Sequence, residues 1–480
     1  MKKRVLTILG IAACAAMLFG CHNAEIPAVP AEATISETTT EAAPTTITIE
    51  GGAAPLVLSE ETSVLELTCP QQVESLISQA ENVTWLEEIS LSGYVPQAWE
   101  ILWLEETFEN ASIFYDEVEI LGEVYPADLT ELDLTNLQWD QIETLGQELP
   151  VLKNLEFVYL SPLGGVGAVS LEEAAALQSL CPDLNYYYAQ ELYGQLLTTD
   201  MEQVNYFKVP IGDEGLEQFR MMLPLMYNLD CLTLDWCDTT DEAMAALRDE
   251  FAEDFSVVWR VFFGEYNCLT DTYRLWANGI TTAGAEVLKY CTEVRYMDLG
   301  HSPMLENVDF LGYMPHIQVV ILGDCTKVTS LEPLRNCPDV EYLEIFSTQV
   351  KDLSPLAELT KLEHLNISRV PAEDLSPIME LSNMKRLWSN SNPHLESQAE
   401  EFQERYPDCQ VVTKGGNSVS YQWRFTTTSR QVYAPRYALL RAQIGYSVGE
   451  MAKYPKGYLR EEITYESTGI DPIAGQRVAG

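Results

Sequence analysis

Basic residues are scarce in this 480-residue chain. It holds 28 Lys and Arg against 73 Asp and Glu, a formal charge of −45, and no basic residue occurs between Arg4 and Lys153. Nucleic-acid phosphates are bound by basic surfaces, so we expect no nucleic-acid partner. The acidic surface either attracts cationic proteins, peptides or divalent ions, or serves only solubility. Residues 410–480 are the exception, because nine basic residues there outnumber five acidic ones.

Sequence motifs that carry catalysis or metal binding are also missing. The five histidines form no H-E-x-x-H pattern, and no G-x-S-x-G elbow, P-loop or C-x-x-C pair occurs. The glycine run at 164–167 precedes a predicted helix beginning at Ser170. Acidic Glu172 and Glu173 follow it, however, where a phosphate site needs a lysine. We therefore expect a non-enzymatic protein with no cofactor and no metal site.

What the chain does contain is a short repeat between Val294 and Trp388. Its strand-like segments are centred on Met297, Val320, Leu343, Leu365 and Leu387, which lie 23, 23, 22 and 22 residues apart. A second apolar pair follows each of the first four segments: Val308/Leu311, Leu331/Leu334, Leu353/Leu356 and Leu375/Ile378. One unit of this length cannot bury its apolar face alone, whereas stacked units can. The pattern therefore predicts a solenoid.

The units read L-x-x-L-x-L and later D-L-S-P-L, as at 352–356 and, with Ile378 in the last position, at 374–378. This resembles the internalin-type leucine-rich repeat of bacterial surface proteins. The resemblance implies an α/β leucine-rich-repeat solenoid, with a curved parallel sheet on the concave side and helices and short turns on the convex side. Ser302, Cys325, Thr348 and Val370 occupy the family's usual Asn turn slot. Val370 cannot bond loop backbone groups, so we expect its loop to close differently.

A longer version of the repeat runs through the N-terminal half. Strand-like segments alternate there with helical stretches such as 241–251, and three aromatic strands end at Gly122, Gly194 and Gly264, 72 and 70 residues apart. This arrangement resembles the leucine-rich-repeat lipoproteins of Gram-positive gut anaerobes, including their closing elements at Trp423-Arg424 and 435–437. We expect convex-side helices in this half and shorter turns over 294–390.

These patterns divide the chain into successive regions. We assign a long-unit repeat region to residues 61–290 and an internalin-like region to 291–410. A C-terminal cap (411–450) and an irregular tail (451–480) follow. We expect 61–410 to form one elongated solenoid.

The N-terminus is typical of a lipoprotein signal peptide. Basic residues at 2–4 precede an apolar run at 5–19, and Leu18-Phe19-Gly20-Cys21 resembles a lipobox. The resemblance implies removal of residues 1–20, a lipid on Cys21 and a place on the extracytoplasmic face of the cell membrane. Residues 21–60 are rich in Ala, Thr, Pro and Glu, which favours a disordered stalk. The alternative is an ordinary cleaved signal peptide in which Cys21 is incidental.

Nine cysteines remain once Cys14 leaves with the signal and Cys21 is lipidated. Cys237 and Cys325 occupy turn slots, and Cys291 and Cys337 precede strands, so they are interpreted as small buried residues. Cys231 and Cys237 are six residues apart. A disulfide between them remains an alternative.

The candidate binding site is the concave face of the late repeats. Strand geometry sends the residues between the buried apolar positions to that face, in two columns. The first column is Tyr296, Val319, Tyr342, His364 and Arg386, and the second is Asp298, Ile321, Glu344, Asn366 and Trp388, with Phe346 in the next slot. Tyr, Trp and Arg are the residue types that anchor interfaces. The acidic residues Asp298, Glu341, Glu344 and Glu363 favour a partner with a basic or hydroxylated surface.

Two functions from different classes fit these features. The first is a monomeric, membrane-tethered receptor or adhesin whose concave face binds a protein, peptide or glycan. The second is a structural, envelope-organising lipoprotein with no specific ligand, in which the C-terminal region or a loop covers the face. An exposed aromatic column would favour the first function, and a column buried by the tail would favour the second.

Overall fold

The computed structural model describes residues 46–135, 142–415, 422–426, 432–446 and 459–476. The predicted signal peptide and Cys21 lie outside these residues. The chain divides into two compact units, Met1–Asp200 with Met221–Asn228, and Met201–Arg220 with Leu229–Gly480. The boundary near residue 290, predicted from the sequence, lies within the second unit and does not separate the two units. No helix of the described ranges is long and apolar enough to cross a membrane.

In the first unit, parallel strands alternate with α-helices. One three-stranded sheet contains Val64–Leu67, Glu88–Leu91 and Ser112–Phe114, and the other contains Glu131–Asp133, Phe157–Tyr159 and Asn185–Tyr187. The helices are Pro70–Ser78, Ala98–Thr107, Ile142–Glu148 and Leu171–Leu180. The last helix illustrates how the sequence sets a boundary. The Ser170 hydroxyl accepts the Glu173 N–H at 3.2 Å, and the Glu173 carboxylate accepts the Ser170 N–H at 2.8 Å.

Three antiparallel hairpins carry the glycines at the ends of the aromatic strands. They pair Glu117–Ile120 with Glu123–Pro126, Ala189–Leu192 with Gln195–Thr198, and, in the second unit, the end of Ser256–Phe263 with Tyr266–Leu269. Gly122 and Gly194 have φ of 84° and 78°, and the residues before them also have positive φ. That is the two-residue turn that suits the twist of a hairpin. The glycine positions in the sequence therefore predicted where the chain turns, but not the second strand of each hairpin.

The predicted stalk extends to residue 60, but its last part is ordered. Ile47–Ile49 pairs with Leu56–Leu58 as an antiparallel hairpin. Ile47, Ile49 and Leu58 are buried. Apolar and polar residues alternate in these two strands, so even a short hairpin can bury one face. This alternation allows the hairpin to form despite the Ala- and Pro-rich composition from which a disordered stalk was predicted. The remaining stalk residues, 21–45, lie outside the described ranges.

The second unit contains the internalin-like repeats. Gln203–Phe207, Cys231–Asp235 and Ser256–Phe263 form one parallel ladder. A seven-stranded parallel sheet follows, with strands Arg274–Trp276, Tyr296–Asp298, Val319–Ile321, Tyr342–Glu344, His364–Asn366, Arg386–Trp388 and Gln410–Val412. Its first and last strands extend the repeat beyond the five predicted segments. The α-helices of this unit are Asp241–Glu250, Thr282–Ala285, Glu396–Arg405, Pro435–Ile444 and Tyr465–Thr468, together with Gly212–Met222, whose last two residues are assigned to the first unit.

Packing of the seven-stranded sheet follows the predicted repeat. Met297, Val320, Leu343, Leu365 and Leu387 pair in register on successive strands, and all are fully buried. The connections on the convex side are short 3₁₀ turns, at Asp309–Tyr313, Glu332–Asn336, Ser354–Leu356 and Ser376–Ile378. The predicted fold class, an α/β leucine-rich-repeat solenoid with helices in the long units and short turns in the late ones, is confirmed.

A left-handed residue turns the chain after each of these strands. His301, Asp324, Ser347, Arg369 and Ser391 all have φ between 58° and 63°. The next residue fills the predicted turn slot. The Cys325 thiol bonds the carbonyl of Leu299 at 3.3 Å, and the Thr348 hydroxyl bonds that of Ile345 at 2.8 Å. The Val370 loop does not close differently at the backbone, because Arg369 has the same positive φ and the Val370 N–H bonds the Ile367 carbonyl at 3.3 Å, as the Thr348 N–H bonds that of Ile345 at 3.2 Å. The Asn392 amide of the following repeat also donates to the Ile367 carbonyl at 2.7 Å, as the Cys325 thiol does to Leu299.

Candidate functional site

The two predicted columns of the concave face exist in the predicted order. Parallel pairing aligns Tyr296, Val319, Tyr342, His364 and Arg386 in one row, and Asp298, Ile321, Glu344, Asn366 and Trp388 in the next. The flanking strands add Arg274 and Gln410 to the first row and Trp276 and Val412 to the second. The equal repeat length produces this alignment, since each unit adds one strand.

The face itself is covered, which corrects the expected exposure of the predicted site. All ten predicted residues are buried: Tyr296, Asp298, Val319, Ile321, Tyr342, Glu344, Phe346, His364, Arg386 and Trp388. Tyr342 and Glu344 are 0% exposed and Trp388 is 1% exposed. Phe346 packs over Gly323, where an added Cβ would lie 2.2 Å from the ring. An open aromatic docking surface is therefore not present in this conformation.

The cover is the C-terminal segment, by which we mean the described residues 422–426, 432–446 and 459–476. Trp423 lies between two predicted site residues, with its ring centroid 5.4 Å from both Tyr342 and Trp388. The helix Pro435–Ile444 buries eight of its ten residues. Leu459 and Ile463 complete the apolar cluster against the sheet. The region predicted to be an irregular tail thus contributes to the core of the second unit.

Glu344 is the polar centre of this contact. Its carboxylate accepts the Trp423 indole N–H at 2.7 Å and the Arg424 guanidinium at 2.6 Å. It also accepts the Tyr342 hydroxyl. A fully buried carboxylate is tolerable only when paired and hydrogen-bonded in this way, so Glu344 ties the C-terminal segment to the sheet.

Asp298 plays the matching role at the other end of the second row. It accepts the Tyr446 hydroxyl and, at 2.8 Å, the backbone N–H of Gly300. Burial raises the pKa of this carboxyl above its usual range. Nearby, the Ile463 N–H donates to the Tyr296 hydroxyl at 3.1 Å. Both Asp298 and Glu344 are therefore engaged by the chain itself, and they are not the acidic surface that the sequence predicted for a basic partner.

Arg386 and His364 form a second polar group in the first row. The Arg386 Nε donates to His364 Nδ1 at 3.0 Å, and its Nη1 donates to the Trp423 carbonyl at 2.9 Å. Burial, reinforced by the charges of Arg386, Arg436 and Lys385, lowers the pKa of His364 well below its ordinary range. His364 is therefore a neutral acceptor at Nδ1 near pH 7, which excludes it as a proton donor from that atom.

Between the sheet and the C-terminal segment a cleft remains open, with a volume of about 760 Å³. The sheet contributes Tyr296, Gln318, Glu341, Glu363, His364, Lys385, Arg386 and Gln410 to its wall. The C-terminal segment contributes Arg436, Leu439, Gln443, Ile463 and Tyr465, among others. The wall therefore combines apolar groups with several charged and hydrogen-bonding ones.

The charges in the cleft are unevenly paired. Lys385 Nζ lies 2.6 Å from the Glu363 carboxylate, and Glu462 pairs with Arg295 outside the cleft wall. Burial raises the pKa of Glu341, partly offset by Arg436. Arg436 itself donates to the Gln443 side chain at 2.8 Å and lies 5.2 Å above the Tyr342 ring. Arg386 and Arg436 thus line this cleft without an ion pair to a carboxylate of the described residues.

Several of these residues were not predicted as site residues. The sequence identified Trp423, Arg424 and Arg436 only as part of the closing elements shared with the leucine-rich-repeat lipoproteins that the chain resembles. A signal for their position does exist in the sequence, because residues 410–480 carry a local charge of +4 (nine minus five) in a chain of −45. One basic residue of that range, Arg424, pairs with the buried Glu344 carboxylate of the sheet.

Metal and disulfide chemistry have no assembled site in the described part of the chain. No group of three or more His, Cys, Asp and Glu is arranged there to hold a metal ion. All nine cysteines of these ranges are free, including Cys231 and Cys237. The sulfurs of Cys268 and Cys291 lie 3.8 Å apart in the core without forming a disulfide.

No protein-family profile matches the chain, and no curated protein is significantly similar to it. Among solved structures, similar ones include an internalin C2 from Listeria monocytogenes, with 17% identity over 52% of this chain and 79% of that one and a TM-score of 0.23. A second internalin from the same organism has 14% identity over 75% and 85%, with a TM-score of 0.24. A leucine-rich-repeat protein of Leptospira interrogans has 14% identity over 74% and 90%, with a TM-score of 0.23.

Proposed function

We propose that this chain is a non-enzymatic binding protein, held on the extracytoplasmic face of the cell membrane by a lipid on Cys21. It binds a peptide or glycan in the cleft between its concave face and its C-terminal segment. The cleft is the observation that carries the binding function. Its volume of about 760 Å³ falls in the range of ligand sites, and its wall mixes apolar groups with a few convergent polar ones.

The position of the cleft also supports this proposal. The helix Pro435–Ile444 and the first strand row form opposite walls, so a ligand there contacts repeat side chains and the C-terminal segment together. The aromatic rows beneath are already filled by Trp423 and Tyr437. They support the wall rather than touch the ligand, so the partner is smaller than a folded protein docked across the sheet.

A cleft-filling substitution tests the binding site. The lipid-free protein, made as Cys21→Ser, is screened against peptide and oligosaccharide libraries by thermal shift. Gln318→Trp places a large ring in the cleft wall, whereas Gln349→Trp makes the same change at an exposed turn outside it. We expect Gln318→Trp to abolish the thermal shift and Gln349→Trp to leave it unchanged. Equal binding by both variants would exclude the cleft.

The lipid anchor is tested separately, by cell fractionation. A Cys21→Ser protein should move from the membrane fraction to the medium, because the thiol that receives the lipid is gone. Retention of this variant on membranes would contradict the anchor.

The second candidate is the structural, envelope-organising lipoprotein without a specific ligand. The observation that favours it is the covered aromatic column, since the rows best suited to a large partner are filled by the chain itself. The same screen separates the two functions. A ligand lost only in Gln318→Trp supports binding, and a library with no ligand supports the structural role.

A further inference from the structure

Two buried arginines of the cleft have hydrogen-bonding capacity that the protein does not use. Arg386 is 9% exposed and Arg436 is 7% exposed, and both line the cleft. In each of them Nη2 is buried with no acceptor among the described residues. Other buried nitrogens also lack an acceptor, such as those of Trp388 and Arg424. Only Arg386 and Arg436 among these four residues line the cleft.

The remaining contacts of these arginines hold each guanidinium in place without neutralising it. Arg386 is fixed by His364, by the Gln422 and Trp423 carbonyls, and by the Trp423 ring 4.3 Å away. Arg436 is fixed by Gln443 and Tyr342. All these partners are neutral, and no ion pair joins either arginine to a described carboxylate. Burial of an unpaired guanidinium costs free energy. The protein therefore buries two unfavourable charges, those of Arg386 and Arg436, in the wall of the same cleft.

The acidic groups nearby do not remove this imbalance. Glu363 is paired with Lys385 and Glu462 with Arg295. Of the carboxylates that line the cleft, Glu341 has no ion pair with the described residues; burial raises the pKa of its carboxyl, and the charge of Arg436 offsets part of that rise. The charges of Arg386 and Arg436 are close enough to destabilise each other, since each arginine contributes to lowering the pKa of His364 and Arg436 helps to lower that of Arg386.

We propose that Arg386 and Arg436 together bind an oxyanion of the ligand, either a carboxylate or a phosphate group. A guanidinium presents parallel N–H donors that match the two oxygens of such a group, and charge-assisted pairs of this kind are the strong ones. Tyr296 and Tyr465 line the same cleft. The inference rests on the proposed function only in using the same cleft. It replaces the basic or hydroxylated partner expected from the sequence with an anionic one.

Binding requires a small movement of the covering side chains, because the two Nη2 atoms are themselves buried. Arg436 belongs to the C-terminal segment, and Arg386 belongs to the sheet. An anion between them therefore joins the two layers. We expect the bound anion to raise the thermal stability of the second unit, since it binds the folded state alone.

The test uses the lipid-free full chain and two probes, inorganic phosphate and succinate, each compared with chloride at equal ionic strength. Calorimetric titration and thermal shift measure binding. We expect at least one probe to stabilise the protein more than chloride does, and the more effective probe identifies the anion as phosphate or carboxylate. Absence of stabilisation by both probes would overturn the proposal.

Substitutions then locate the site. Arg436→Gln should weaken the effective probe roughly tenfold or more, as loss of one charge-assisted contact predicts, and Arg436→Lys should lose less. Arg405→Gln is the matched control, because Arg405 pairs with Glu380 at the surface. Unchanged binding by Arg436→Gln contradicts the inference. If that variant does not fold, Arg436→Lys is measured instead. Unchanged affinity of Arg436→Lys for the effective probe, together with loss of that affinity in Gln318→Trp, would exclude the arginine contact.

Failure of this inference is distinguishable from failure of the proposed function. A peptide or glycan that is lost in Gln318→Trp, but does not compete with either anion, leaves the cleft intact as a site and removes the oxyanion contact. Binding of a peptide or glycan that is unchanged in Gln318→Trp would contradict both the cleft as the binding site and the oxyanion contact.

Discussion

The parallel sheets of the two units follow the same repeat but differ in what lies on their outward face. In the first unit, strand Val64–Leu67 alternates exposed and buried residues, and Glu131–Asp133 is exposed, buried, exposed. In the seven-stranded sheet, every residue of Tyr296–Asp298, Val319–Ile321, Tyr342–Glu344, His364–Asn366 and Arg386–Trp388 is buried. Strand geometry is alike in both. The difference comes from the C-terminal segment that covers the second sheet.

The chemistry of the outward residues matches this difference. Glu66, Glu88, Glu131 and Asp133 face solvent in the first unit, and so do the apolar Val64 and Phe114. The corresponding rows of the seven-stranded sheet hold five Tyr, Val, Ile and Trp residues, which gain free energy on burial. The polar residues among them include Glu344 and Asp298, which are hydrogen-bonded by the C-terminal segment. A row of apolar outward residues on a solenoid strand therefore indicates a cover as readily as it indicates a binding surface. Here the cover is supplied by the chain itself.

The largest expected effect is loss of the buried carboxylate at the centre of the cover. Glu344→Ala leaves the Arg424 guanidinium and the Trp423 N–H buried without their acceptor, and should lower the free energy of unfolding by about 3–5 kcal/mol. Glu131→Ala, at an exposed position of the first unit, should change it by about 0.5 kcal/mol or less. Urea denaturation measures both. Equal effects would show that the cover does not distinguish the two sheets.

The inward rows should behave alike in the two units. Leu343→Ala and Leu132→Ala each remove a buried side chain and leave a cavity, so each should cost about 2–5 kcal/mol. Thermal unfolding of the two variants checks this expectation. An unchanged melting transition for Leu343→Ala would mean that the repeat register is wrong.

A smaller effect depends on pH. The pKa of His364 is far below 6.5 when folded, so the unfolded chain binds the proton more readily as pH falls below that value. The contribution of His364 to stability is therefore present above about pH 6.5 and is lost as pH decreases, by at most about 1.4 kcal/mol per pH unit. His364→Gln should flatten the difference in melting temperature between pH 7 and pH 5. Parallel profiles for variant and parent would refute this account.

The smallest effect concerns the acidic first unit. Lys153 is the first basic residue after Arg4, and its Nζ lies 2.9 Å from the Glu105 carboxylate with half of the side chain exposed. Lys153→Gln should cost about 0–1 kcal/mol, and less at high salt, because exposed ion pairs are weak and screened. Denaturation at low and high salt measures the difference. A loss as large as that of Glu344→Ala would mean that this surface pair stabilises the unit far more than its exposure implies.

Local pattern was enough to predict the repeat and its register. The spacing of Met297, Val320, Leu343, Leu365 and Leu387 determines which residues stack, and the stacked columns follow from strand alternation. The turn slots and the glycine turns are equally local, because a few neighbouring residues set the backbone angles there. Composition was a poorer guide, as the hairpin at 47–58 shows.

Which residues cover the concave face was decided only in the tertiary structure. Trp423 meets Glu344 across 79 positions of sequence, and Tyr446 meets Asp298 across 148. No periodicity links residues so far apart, because their contact depends on the path of the whole chain and not on a local repeat. The sequence by itself thus determined that the apolar rows would stack. The fold decided that they would be buried beneath the C-terminal segment, with a cleft left between the two, because burying those rows and pairing Glu344 with Arg424 satisfies both layers at once.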